Sequence, residues 1–261
     1  MSQTKVIKLV NTKPILNVQS SNSLSSLNGQ PNASNYVKLS QREHVYKIPD
    51  TYVGSDERMR KEEWLFDITK VSITKGFIEL PQAIERLFIE ILSNASDNAH
   101  RSRRTGINPD KIEVTMNERV ITIKNYGIPI PIEIHPIEKI YVPEMIFGSM
   151  LTGSNYEGDR HEAGRNGLGA KLVNIFSKKF YLEVGNAISH LSYVQSWNEN
   201  MINRTDPIIS RYDLQTSYVF ISYELDFARF KYDKYPLEAF QLFARHCCDI
   251  SFTAKIPVIF N

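Results

Sequence analysis

Apolar residues recur every three or four positions at Ile84, Leu87, Phe88, Ile91, Leu92 and Ala95. That stripe predicts an amphipathic helix over residues 81–100, with Pro81 acceptable in its first turn and the stripe packed on a core. Period-two alternation then takes over. Residues 111–116 and 119–125 alternate around Asn117-Glu118, the signal of an antiparallel hairpin. Further strands are predicted at 180–184, 193–197, 217–223 and 255–259, and a helix at 236–248. The order helix, hairpin, Gly-rich segment, helix and meander suits an α+β fold of two layers. Residues 1 to about 34 hold most of NVQSSNSLSSLNGQPNASN (17–35), a Ser/Asn-rich tract with little to bury, and are expected to be disordered.

Two motifs carry chemistry. FIEILSNASDN places Glu90, Asn94, Asp97 and Asn98 at i, i+4, i+7 and i+8, one polar edge of the predicted helix. A carboxylate one turn before an amide suits a general base beside a magnesium ligand, the amide oxygen of Asn94 filling one coordination position. GRNGLGAK supplies Gly164, Gly167 and Gly169, whose bare backbone can close on phosphates, and then Lys171 for the terminal phosphate. Helix formers follow in KLVNIF, which adds a helix dipole to the same anion site. Each half alone is weak. Ala170 separates the last glycine from the lysine and no Ser or Thr follows, so this is not a P-loop. A glutamate and an asparagine on a helix are most often solvated surface.

Between the motifs lies KNYGIPIPIEIHPIEKIYVPEMIFGSMLTGSNYEGD. With it the chain resembles the ATPase domain of eukaryotic-type (type IIA) DNA topoisomerases, in the Bergerat-fold (GHKL) group shared with gyrase, Hsp90-type chaperones, mismatch-repair MutL proteins and histidine kinases. The resemblance spans roughly residues 36–261. It runs through NYVKLSQREHVYKIPDTYVGS, IYVPEMIFG, LTGSNYEGD, AGRNGLGAKLVNIFS and YVQSWNENM. Runs this long belong to the topoisomerase branch, because the wider group shares only scattered glycines and acids.

The resemblance implies a two-layer sandwich with a mixed, largely antiparallel sheet and helices on one face. It divides the chain into a tail (1–34), an N-terminal strap (35–55) and the ATPase domain (56–261). It implies ATP and Mg2+ as cofactors, with Glu90 polarising the attacking water and Asn94 holding the metal. Asp97, Asn98 and Arg101 would line the nucleotide pocket. Thr152, Gly153, Ser154 and Asn155 would touch ribose and phosphates, Gly153 replacing a serine common in the family. Gly164, Arg165, Asn166, Gly167, Leu168, Gly169, Ala170 and Lys171 would wrap the triphosphate. Tyr36 would reach from the strap to the nucleotide of a dimer partner. In the family's glycine box Tyr126 stands where an Asp or Asn accepts the adenine amino group, Pro129 stands for the second glycine, and Val219 stands for a supporting threonine. Both polar adenine contacts are therefore expected to be missing.

The implied function is an ATP-operated gate that dimerises on nucleotide, captures double-stranded DNA through the full enzyme, and is reset by hydrolysis. The alternatives are a nucleotide-binding assembly module with an altered base pocket and little or no hydrolysis, a free-standing chaperone-like ATPase, and a pure DNA-binding module, the last favoured by nothing beyond a small arginine cluster. A transducer domain would begin near Asn261 in the family. The chain thus reads as the gate of a larger enzyme or a separately encoded piece of one, acting in the nucleus or a viral replication compartment.

Composition adds bounds. The 261 residues are 42% apolar and 23% charged, ordinary for a globular domain able to bury a core. A net charge of +2 gives no overall argument for nucleic acid, and Arg101, Arg103 and Arg104 read as a solvated helix end. The only cysteines, Cys247 and Cys248, are adjacent, poorly placed for a structural disulfide. Six scattered histidines suggest no zinc site, and neither a membrane span nor a signal peptide is indicated.

Overall fold

The structure, a computed structural model, describes residues 37–150 and 168–261. Leu39–Asn261 form one compact unit; Met1–Lys38 are a second, of which only Val37 and Lys38 are described. The chain enters the compact unit through α1 (Gln41–Lys47), started by a capping box in which Ser40 and Glu43 satisfy each other's backbone N–H groups. A short 3-10 turn (Pro49–Thr51) follows. Val45 and Val53 are buried, so the segment assigned to a strap is anchored on its own core from Leu39 onward.

Next comes a two-stranded hairpin, β1 (Arg60–Asp67) and β2 (Ser72–Glu79), which the sequence reading left unassigned. Its turn has no glycine. Instead the Asp67 carboxylate accepts the backbone N–H groups of Thr69 and Lys70 at 3.0 and 3.2 Å, and Val71 takes φ +48°. Its outward-facing Trp64, Ile73 and Phe77 stay exposed, which blurs the alternation.

The long helix α2 (Gln82–Arg104) carries the predicted stripe, and all six of its residues are buried. It outruns the predicted end at residue 100 because termination waits for Gly106, at φ +82°. Arg103 is not a solvated charge there: its guanidinium donates to the Ala254 and Lys255 carbonyls at the end of α5 (Leu237–Ala254).

Among the described residues eight strands form the main sheet, in the order β10-β3-β4-β9-β5-β6-β7 with β8 also on β6. These are β3 (Ile112–Met116), β4 (Val120–Tyr126), β5 (Ser177–Asn186), β6 (Leu191–Asn198), β7 (Asn203–Arg204), β8 (Ile208–Arg211), β9 (Tyr218–Leu225) and β10 (Val258–Phe260). All pairings are antiparallel except β10 on β3, so the mixed, mainly antiparallel α+β architecture holds. The β3–β4 turn forms as expected, the Asn117 side chain accepting the N–H groups of Arg119 and Val120 at 2.9 and 2.7 Å. Helices α2, α4 (Gly169–Ile175) and α5 pack on the sheet, while α3 (Val142–Gly148) lies against α4 and β6.

A hub outside the predicted elements ties α1 to α4. Glu199, Asn200 and Met201 are all left-handed, with φ of +49°, +61° and +62°, an arrangement unfavourable by about 1–2 kcal/mol per residue. The buried Asn200 side chain holds it, donating to the Ile175 carbonyl and the Asp226 carboxylate at 3.1 and 3.2 Å. Asp226 also accepts the Tyr46 hydroxyl from α1 at 2.9 Å.

Candidate active site

The polar edge of α2 becomes the wall of the site. Glu90, Asn94, Asp97 and Arg101 are half-buried and Asn98 is buried, on a helix whose other positions are largely core. Glu90 faces the start of α4: a Cβ added to Gly169 would sit 2.2 Å from Glu90 Oε2. Tertiary contact alone brings the acid-bearing helix onto the lysine-bearing one. Its other oxygen, Oε1, pairs with Arg86 Nε at 2.7 Å.

Every side chain from Ala170 to Ile175 is buried, and Lys171 is fully so. Burial penalises its ammonium and pulls its pKa from 10.5 down to about 8. A lysine so placed gains from any anion that reaches it. Leu168, Gly169, Ala170 and Lys171 are thus set at the foot of the α2 wall. Gly164, Arg165, Asn166 and Gly167, with Thr152, Gly153, Ser154, Asn155 and Tyr36, lie outside the described residues.

At the far end of the wall the chain leaving β4 is clamped to α2. The Ile128 N–H donates to Ser102 Oγ at 2.7 Å, and Asn98 Nδ2 donates to the Ile128 carbonyl at 3.0 Å. The approach needs a glycine: Gly127 has φ +140°, and a Cβ there would lie 2.3 Å from Ser102 Oγ and 2.5 Å from Asn98 Oδ1.

One expectation is corrected here. Tyr126 does not face this site. It shares the outer face of β4 with Val120, Thr122 and Lys124, and its hydroxyl donates to Glu113 Oε2 at 2.9 Å. Burial, then that bond, push the phenol pKa up to about 12. The inward residue is Asn125, buried beside Ile121 and Ile123 on the helix-covered face. Its cross-strand neighbour is Val219, also buried, so the pair at the sheet floor is Asn125–Val219. The box therefore keeps one amide, which both donates and accepts. Strict alternation gives this from the sequence: Ile121 and Ile123 inward put Asn125 inward and Tyr126 outward. Ser102 and Arg86 were also missed. A buried serine late in a helix is visible only once its partner strand is placed.

Among the described residues no three His, Cys, Asp or Glu side chains cluster to hold a metal, and no helix is long and apolar enough to cross a membrane. Cys247 is buried and Cys248 exposed, both free thiols.

Residues 81–196, the stretch that holds the wall and Asn125 of the floor, match the family of histidine kinase-, DNA gyrase B- and HSP90-like ATPases. DNA topoisomerase 2 of Meyerozyma guilliermondii is 36% identical over 222 residues, covering 84% of this chain and 16% of that protein. DNA topoisomerase 2 of Drosophila melanogaster is 35% identical, covering 86% and 16%. The chain thus spans about one sixth of the length of these curated relatives. The crystal structure of the ATPase region of Saccharomyces cerevisiae topoisomerase II superposes with a TM-score of 0.84 at 37% identity, over 88% of this chain and 61% of that one. The ATPase and transducer domains of DNA topoisomerase II from Balamuthia mandrillaris give 0.83 at 31%, over 89% and 61%. Fold, wall and sequence agree: the chain belongs to the histidine kinase-, DNA gyrase B- and HSP90-like ATPase family, in the branch of the type IIA topoisomerase ATPase region.

Proposed function

We propose that this chain is the ATP-operated gate of a type IIA DNA topoisomerase. The observation that carries the proposal is the apposition of Glu90 on α2 with Gly169 at the start of α4, two residues before the buried Lys171. A helix-borne carboxylate and a desolvated lysine brought to one place suit phosphate chemistry, because electrostatic interactions are strong where water is excluded.

In this reading Glu90 accepts the proton of the water that attacks the terminal phosphate, and Lys171 neutralises phosphate charge. The donor set suits magnesium, which keeps waters and shares substrate phosphates, rather than a metal caged by protein. Asn94 would supply one oxygen to it, and the ion would offset phosphate charge. Asp97 and Asn98 line the wall between the phosphates and the base. Asn125 reads the base from the floor, in the role first assigned to Tyr126. Two copies close on nucleotide around a double-stranded DNA segment, because nucleotide binds the paired state more tightly than the open one; hydrolysis removes that difference.

The test is Glu90→Gln in the full-length protein. ATP hydrolysis is expected to fall by about 10²–10⁴-fold while calorimetric binding of a non-hydrolysable analogue with magnesium is kept. Unchanged turnover would refute the assignment. An intact chain that binds no analogue at millimolar concentration would refute the nucleotide site itself.

A further inference from the structure

Asn125 ends the inward row of β4 with only 8% of its surface exposed, and among the described residues no hydrogen bond holds its carboxamide. Buried amides are normally tied by their neighbours, which fixes the side that presents oxygen and the side that presents nitrogen. Here the neighbours do not supply such a tie. The residues facing Asn125 across the sheet are Ile112 on β3 and Val219 on β9, both buried and both apolar. Two positions away on its own chain stand Ile123 and Gly127. Asn98 and Ser102 reach this end of the wall from α2, but their polar groups are already engaged. Asn98 Nδ2 donates to the Ile128 carbonyl, while Ser102 Oγ accepts the Ile128 N–H and donates to the Asn98 carbonyl at 2.7 Å. The floor thus carries one amide whose two ends exchange by a half-turn about its last torsion, a soft, two-fold rotation.

We infer that the base site accepts 6-oxopurine as well as 6-aminopurine nucleotides. The inference rests on Asn125 reading the base, as proposed above. Adenine offers an exocyclic amino donor beside a ring-nitrogen acceptor, whereas a 6-oxopurine offers a carbonyl acceptor beside a ring N–H donor. An amide carries one donor group and one acceptor side by side, so it pairs with the first edge in one orientation and with the second when turned over. A carboxylate at the same place only accepts, and it leaves the 6-oxo group facing a second acceptor. A neighbouring hydroxyl would hold the amide in one orientation and so favour one base; Ile112 and Val219 hold it in neither. Hydrogen-bonding sites discriminate because the wrong ligand leaves a polar group unpaired, and a group free to turn is left unpaired by neither edge.

Calorimetric binding of ADP and of inosine diphosphate, each with magnesium, to the full-length protein tests this. The two nucleotides differ only at the edge in question, and both lack the terminal phosphate that is hydrolysed. Wild type is expected to bind them within about five-fold of each other. Asn125→Asp should turn that near-equality into a preference for ADP of roughly ten-fold or more. Asn125→Ala should weaken both by roughly 3–10-fold and leave their ratio unchanged, since each loses its contact with the same amide. Circular dichroism checks that each variant is folded, and the wild-type ratio stands whether or not they are. A wild-type preference beyond about five-fold for either base overturns the inference. So does a ratio that Asn125→Asp does not shift toward ADP, or a pair of affinities that Asn125→Ala leaves as they were. Binding of neither nucleotide at millimolar concentration overturns the nucleotide site itself and the inference with it, a result distinct from the rejection of one base.

Discussion

Adding one methyl group at Gly127 should do far more damage than a glycine-to-alanine change normally does. The residue has φ +140°, a region open essentially to glycine alone, where another residue is strained by about 1–3 kcal/mol. The new Cβ would also come within 2.3 Å of Ser102 Oγ and 2.5 Å of Asn98 Oδ1, the side chains that clamp Ile128. Relieving that contact breaks or stretches two hydrogen bonds, each worth about 0.5–1.5 kcal/mol net. Alanine restricts the unfolded chain and returns about 0.4–1 kcal/mol. The sum is a loss of about 2–5 kcal/mol. Gly106 is the built-in control, with φ +82° and nothing within 4 Å of an added Cβ, so Gly106→Ala registers backbone strain alone, about 1 kcal/mol. At roughly 2–4 °C per kcal/mol for a domain of this size, the two variants should melt about 4–20 °C and about 2–4 °C below wild type. Urea denaturation and calorimetry measure both. The Gly127 variant should also bind nucleotide more weakly, since the clamp abuts Asn125. If it melts no lower than the Gly106 variant, the clamp does not hold this end of the site.

Glu85 should govern part of the acid stability. Burial opposes its charge, but hydrogen bonds from His246 and Lys61 outweigh that and draw its pKa from 4.5 down to about 2. A carboxylate depressed in the folded state stabilises it above the unfolded pKa, and that contribution, at most about 3 kcal/mol, fades as pH falls from about 4.5 toward 2. Glu85→Gln should therefore flatten the acid limb of stability against pH; a limb of unchanged slope would refute this. Lys171, at about 8 when buried, should be driven back to its charged form by a bound triphosphate. Binding at pH 8 should then take up about half a proton, and at pH 6.5 almost none, read from calorimetry in buffers of different ionisation enthalpy. Uptake that is the same at both pH values, or that survives Lys171→Met, contradicts the placement of the lysine against phosphate.

By itself the sequence determined much of the local structure. The Ile84–Ala95 stripe specified α2, alternation around Asn117 specified the β3–β4 hairpin, and the polar spacing from Glu90 to Asn98 marked the wall of the site. These are short-range patterns, set by helical and strand periods. The same alternation, followed one residue further, puts Asn125 inward and Tyr126 outward, but the inward place was assigned to Tyr126 from the sequence and the structure corrected it. Other features were decided only in three dimensions. The β1–β2 hairpin escaped notice because half of its apolar residues stay exposed and its turn depends on Asp67 in place of glycine. The parallel pairing of β10 with β3, the meeting of Glu90 with Gly169 and the complete burial of Lys171 join residues far apart in the chain. No periodicity encodes such contacts. They arise when the buried faces of α2, α4 and α5 compete for one sheet, and the packing that satisfies all three sets a carboxylate against a glycine and a lysine.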